Sequence, residues 1–292
     1  MPDVAPVAAP DDRQLIVGRI RLHYLDWGNN GAPAVILLHG GGLNARTWDA
    51  VCLALRSRYH CLALDLRGHG DSEWSPEVDY SLDAHLADLE GFVAQLGLPR
   101  LAVVGHSLGA FIGLRYAALN QQVLAGYVSV DASPFLRDDT AGRQIVKFIL
   151  GRDEFLGLDD AVEYVRSFNP SSDPRLLRRS LATNLRRRPA GGLIWKHDLH
   201  RYLSPTGFEE LVAQIRKLVP EARAVNCPTL VVRGSRSPAL SPCEAAEFVG
   251  HLTAGRTVTV DHAGHNVQRD NPAGLVSELF SFLGGCAWTS PR

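Results

Sequence analysis

The sequence predicts an α/β protein built on a mainly parallel sheet with helices on both faces. Two observations carry this expectation. Short apolar runs of strand length alternate with longer segments of helical period along most of the chain. The composition, 46% hydrophobic and 21% charged over 292 residues, supplies one sizeable core. Strand and helix alternation of this kind yields parallel strands buried on both faces by their crossover helices.

Residues 1–14, MPDVAPVAAPDDRQ, carry acidic residues and prolines where a secretory signal needs a basic start and an apolar run. They read as a disordered leader. IRLHYLDWG, from residue 20, alternates in strand fashion, and AVILLHG, HCLALDL, LAVVGHS, LAGYVSVD, TLVVRG and TVTVDHAG read as further strands. Between HCLALDL and LAVVGHS, the residues Leu82, Leu86, Leu89, Phe92, Val93 and Leu96 fall on one face of a helix. From about Phe135 to Val225 the rhythm breaks into helical patterns without a convincing strand. Residues 135–225 are therefore assigned to a helical cap, and residues 15–134 and 226–285 to the α/β core. Within the cap, Leu176, Leu177, Leu181 and Leu185 can line one side of a helix, while Arg175, Arg178, Arg179 and Arg186 point largely elsewhere as a solvated face. Sheet rhythm resumes at Pro228, and a last helix follows Pro272.

Thirty basic and thirty-one acidic side chains leave a formal charge of -1, so no global field recruits nucleic acid or an anionic membrane surface. A small-molecule substrate fits better. No run approaches the roughly 18 continuous apolar residues of a spanning helix. The cysteines, at 52, 61, 227, 243 and 286, are odd in number and lack zinc spacing, which reads as reduced thiols in a cytoplasmic protein.

The chemistry concentrates in a few motifs. Gly105-His106-Ser107-Leu108-Gly109 follows the apolar run LAVV and precedes a helical segment. That is the setting of a nucleophile elbow, in which small residues permit a tight strand-to-helix turn that exposes a serine. Helix onset at Ser107 also aims free backbone N–H groups at developing negative charge. His39-Gly40-Gly41-Gly42 follows the strand AVILL, and glycines there let amides approach an oxyanion closely. The N–H groups of Gly41 and Leu108 are the expected donors. A phosphate loop would need a Lys-Ser/Thr ending, which is absent.

HGGGLNARTW, DLRGHGDS (Asp65 to Ser72), GHSLGA and AGHNVQRDNP occur in that order, and with them the chain resembles the α/β-hydrolase superfamily from about Ile20 to Leu283. The resemblance implies an eight-stranded, mostly parallel sheet, with a cap inserted between strands six and seven. It also places the catalytic histidine at His265, after the last strand. Imidazole suits that task because it exchanges protons near neutral pH. Of the eleven histidines, His39 and His106 adjoin the other motifs as pocket-shaping residues, and His262 reads as a loop residue. His197 and His200 flank Asp198 without the further ligands a metal site needs.

The third member must be a carboxylate that orients the imidazole. In the family's commonest pattern this aspartate follows strand seven, in loops resembling G-x-x-S-D. Here Gly234-Ser235-Arg236-Ser237-Pro238 has proline at that place. Relatives similar to haloalkane dehalogenases and zearalenone lactonases take the acid from the end of strand six, which points to Asp131. The bland alternative is that Asp131 only caps the turn toward Pro134. Asp261 lies too close to His265 in sequence to be preferred, and Asp65 and Asp71 read as structural loop residues.

These residues lead to a serine hydrolase that cleaves an ester or lactone through an acyl-enzyme, with no cofactor or metal. Hydrolysis of a carbon–carbon bond in a diketone-like substrate, a cyclase or acyltransferase, and a binding protein on the same fold are the alternatives. The aromatics Phe135, Phe148, Phe155, Tyr164, Phe168 and Trp195 fit either a partly apolar pocket or a packed cap core.

Overall fold

In the computed structural model, which describes residues 9–135, 140–168, 173–203 and 205–289, eleven strands form two sheets. In chain order they are β1 (Asp11–Val17), β2 (Ile20–Asp26), β3 (Ala34–Leu38), β4 (His60–Leu64), β5 (Leu101–His106), β6 (Leu124–Val130), β7 (Glu154–Phe155), β8 (Leu185–Arg187), β9 (Leu193–Trp195), β10 (Thr229–Gly234) and β11 (Gly255–Val260). The helices are α1 (Asp49–Leu55), α2 (Leu82–Leu96), α3 (Leu108–Leu119), α4 (Thr140–Gly151), α5 (Leu158–Phe168), α6 (Pro174–Asn184), α7 (Leu199–Tyr202), α8 (Pro205–Arg216), α9 (Val219–Ala224), α10 (Pro242–Gly250), α11 (Val267–Asp270) and α12 (Pro272–Gly284).

The larger sheet has eight strands in the order β1-β2-β4-β3-β5-β6-β10-β11. Its pairs are parallel except β1 with β2 and β2 with β4. This is the fold the motifs imply. Central strands such as β3 (AVILL) and β6 (LAGYVSV) are buried at every residue, and alternate side chains feed opposite layers. Ile36 and Leu38 pack with Leu89 and Phe92 of α2 and Ile112 of α3. Val35 and Leu37 pack instead with Val51 of α1 and Leu275 and Leu279 of α12.

The strand order creates the site. From β3 the chain leaves toward β4, whereas from β5 it leaves toward β6 on the opposite side. Such a reversal opens a crevice at the carboxyl ends of the two strands, where open α/β sheets bind ligands. Residues 39–42 follow β3, and Ser107 follows β5.

Three findings depart from the sequence reading. Strand β1 begins at Asp11, inside the stretch read as a disordered leader, and pairs with β2 along its full length; residues 1–8 lie outside the described residues. The segment 135–225 is not wholly helical, because β7, β9 and β8 form a small antiparallel sheet. Its aromatic residues pack on one another: Phe155 and Trp195 are buried together, with Phe148 and Tyr164 against them. That matches the packed-core alternative. In α6, Leu177 and Leu181 face inward, Leu176 is exposed, and Leu185 lies beyond the helix as the first residue of β8. The end of the segment leaves the cap altogether, since Ile215, Leu218, Ala222 and Val225 join the core beneath the sheet.

Candidate active site

The turn at Ser107 follows from close packing. Built on Gly105, a Cβ would stand 2.2 Å from the carbonyl oxygen of Gly109, and one on Gly109 would stand 2.5 Å from that of Leu38. Only glycine fits at either position. Ser107 itself has φ 50° and ψ −115°, a conformation that costs of order 1–3 kcal/mol and must be held by its surroundings. Its N–H donates to Val130 O at 3.1 Å, and its carbonyl accepts from Ala110 at 2.9 Å as α3 begins. The side chain is half-buried at the crevice.

The glycine loop is tied to this elbow. Gly109 N–H donates to His39 O at 3.1 Å, and His39 Nε2 accepts from Leu66 N–H at 3.0 Å. That leaves Nδ1 as the protonated nitrogen, donating to Gly40 O at 2.8 Å. Burial lowers the pKa of His39, so the ring is a neutral brace for the loop. No described residue accepts from the N–H of Gly41 or Leu108, the two expected oxyanion donors.

His265 sits on the loop between β11 and α11. That loop approaches the end of β10 so closely that a Cβ on Gly234 would lie 2.2 Å from Gly264 O. His265 Nδ1 lies 2.8 Å from Asp131 Oδ2, and the carboxylate is buried. Three donors converge on it: the His265 ring, the Ser237 hydroxyl on Oδ2, and Gly234 N–H on Oδ1 at 2.9 Å. Asp131 has φ 54°, in the left-handed region that Asp tolerates better than most residues, and its own N–H donates to Val232 O at 2.7 Å. His106 supports the same loop from the other side. Its Nε2–H donates to His265 O at 2.8 Å, its ring lies 4.7 Å from the His265 ring, and burial and then the neighbouring His265 push its pKa well down.

The structure therefore brings Asp131 and His265 together, while Asp261 is exposed and meets Asn271 through its carbonyl. His262 is exposed as well, with φ 59°. Ser237 is the contribution that sequence reasoning missed. The only signal for it was its place one residue before Pro238 in the loop after β10.

Several other titratable residues have structural partners. Asp65 is buried, accepts from the N–H groups of Ala45 at 2.6 Å and Asp71 at 2.8 Å, and lies 2.7 Å from His23 Nδ1. Among the described residues, His23, Asp65 and Asp71 form the one group with metal-like spacing, but Asp71 is held by Lys196 Nζ at 2.8 Å and His23 by Asp65 and Asp12. Burial opposes charge on His23, yet the hydrogen bonds to Asp65 and Asp12 outweigh it and raise its pKa. Asp198, between His197 and His200, is occupied by the Tyr80 hydroxyl and by Arg201.

Known proteins resemble this chain over most of its length. The family profile for the alpha/beta hydrolase fold matches residues 33–272. An esterase of Mycobacterium tuberculosis is 32% identical over 258 residues, which cover 86% of this chain and 83% of the esterase. A solved structure of that esterase superposes with a TM-score of 0.76 at 30% identity, covering 94% of this chain and 92% of the other. N-formylmaleamate deformylase of Pseudomonas putida is 29% identical over 265 residues, covering 90% of this chain and 93% of that one. A 2-(acetamidomethylene)succinate hydrolase of Mesorhizobium japonicum is 25% identical over 96% of this chain and 99% of its own. From the sheet topology and these matches together, the chain belongs to the α/β-hydrolase family of enzymes.

Proposed function

We propose that the protein is a serine hydrolase acting on an ester or lactone of a small molecule, with Ser107 as nucleophile, His265 as base and Asp131 as the orienting acid. The observation that carries the reading is the hydrogen bond from His265 Nδ1 to buried Asp131. With the proton fixed on Nδ1, the lone pair on Nε2 is free to take the hydroxyl proton of Ser107. As Oγ bonds to the substrate carbonyl carbon, the carbonyl electrons move onto oxygen, where the N–H groups of Gly41 and Leu108 receive them. The intermediate collapses, the ester C–O bond breaks, and His265 returns its proton to the leaving alcohol. Water, deprotonated by His265, then attacks the acyl-enzyme and releases the carboxylic acid.

A second reading has support from the relatives. The deformylase and the acetamidomethylene succinate hydrolase are not named as esterases, so cleavage of a non-ester acyl bond by the same three residues is the competing chemistry. The near-neutral charge favours a small molecule over nucleic acid or a membrane surface, and the free cysteines fit a cytoplasmic setting. No described helix is long and apolar enough to cross a membrane.

Turnover of p-nitrophenyl esters and of lactones of graded acyl size, in ¹⁸O-labelled water, tests the proposal. The expected result is label in the acid product and loss of turnover in Ser107→Ala. Release of unlabelled, cyclised or transferred product would overturn hydrolysis, and full activity in Ser107→Ala would overturn the nucleophile.

A further inference from the structure

The loop Gly234–Pro238 does more than connect β10 to α10. Gly234 N–H reaches one oxygen of Asp131 and the Ser237 hydroxyl the other, so a five-residue turn grips both ends of the carboxylate. The Ser237 side chain is well buried, at 9% residue exposure, and its backbone is pinned by a 3.0 Å bond from its own N–H to Gly234 O. Ala239 N–H donates to Ser237 Oγ at 3.1 Å. A donor therefore occupies one side of the hydroxyl oxygen, which turns the single hydroxyl proton toward its other neighbour, Asp131 Oδ2.

We propose that Ser237 is a positioning residue, whose hydroxyl locks the Asp131 carboxylate in the rotation that presents Oδ2 to His265 Nδ1. The inference rests on the triad reading above. The torsion that turns a carboxylate about its stem is soft and has broad minima. Gly234 restrains that torsion through a single bond at Oδ1. The Ser237 hydroxyl supplies the second fixed point. It also gives the buried carboxylate a third hydrogen-bond donor. Ser237 touches no reacting atom. Its effect passes through Asp131 to the tautomer and orientation of His265.

The test is steady-state kinetics on p-nitrophenyl acetate for Ser237→Ala, Ser237→Thr and Asp131→Asn. Losing one hydrogen bond to a charged group should lower kcat in Ser237→Ala by about ten- to a hundredfold, with KM within about twofold of the parent. Ser237→Thr keeps the hydroxyl and should recover most of the loss. Equal impairment of the alanine and threonine variants would assign the effect to packing and overturn the inference. If Asp131→Asn is crippled while Ser237→Ala matches the parent, the inference fails and the triad stands. If neither variant loses kcat, the triad reading falls and the inference falls with it.

Discussion

Replacing Asp131 by asparagine exchanges one carboxylate oxygen for an amide nitrogen and isolates the role of the charge. The left-handed backbone at φ 54° suits asparagine as well as aspartate. Gly234 N–H, 2.9 Å from Oδ1, requires an acceptor, so the amide oxygen must stay there and the NH₂ group must take the place of Oδ2. The Ser237 hydroxyl can rotate and accept from that NH₂ group. A hydrogen bond to a charged group is worth about 1.5–3 kcal/mol and a neutral one about 0.5–1.5, so the fold loses on the order of 1–2 kcal/mol. The imidazole has no such escape. An NH₂ group 2.8 Å from His265 Nδ1 demands a lone pair there, which moves the ring proton to Nε2 and leaves nothing to accept the proton of Ser107. The equivalent change in a serine protease triad lowers kcat about 10⁴-fold, which corresponds to about 5.4 kcal/mol of barrier. Activity on p-nitrophenyl acetate should therefore fall by about that factor, while a urea melt shows a small loss. Asp261→Asn should be mild. Activity of Asp131→Asn within tenfold of the parent, or a larger loss in Asp261→Asn, would refute the reasoning.

Stability should fall in acid. Burial, and then the neighbouring His39, push His69 down to about 3 from an ordinary 6.5, and His39, His85, His106 and His197 are lowered by burial too. For such groups the unfolded chain binds more protons, so stability is full above about pH 6.5 and is lost as pH falls toward the folded value. His69 alone accounts for about 2 kcal/mol between pH 7.5 and 5. His23 has the opposite sign: its raised pKa adds stability below about pH 6.5, which disappears as pH rises through the folded value. Five lowered histidines outnumber it, so urea unfolding should give less stability at pH 5 than at pH 7.5; equal or greater stability would contradict the assignment of these rings as neutral. Gly109→Ala puts a methyl group 2.5 Å from one backbone oxygen and 2.7 Å from a second, neither of which can rotate away. It should cost about 1–3 kcal/mol or more and disrupt activity, and an unchanged melting temperature and kcat would show that the elbow is less tightly packed than described.

The central strands were legible because burial on both faces writes itself as continuous apolar runs, AVILL and LAVV among them. Strand β1 was not, because DDRQLIV lies at the sheet edge with its first four residues exposed, and charged edges resemble loops. The cap sheet was hidden for another reason: strands of two or three residues are too short for any period to register. Continuity of helical period likewise hid where the cap ends, since Ile215 and Leu218 look alike whether they face the cap or the core. In the site, local motifs marked Ser107 and His265, and proline at 238 redirected the search for the acid to Asp131. Ser237 needed the tertiary structure. A serine beside a proline is an ordinary turn residue until the end of β6 brings a buried carboxylate against it.

Covalent trapping tests the proposed mechanism most directly. Treating the protein with a fluorophosphonate and mapping the adduct by peptide mass spectrometry should find one modified residue, Ser107, with stoichiometric loss of esterase activity. His265→Ala should label far more slowly, because the hydroxyl then lacks its base. Modification at another residue, or inactivation with Ser107 unlabelled, would contradict the account.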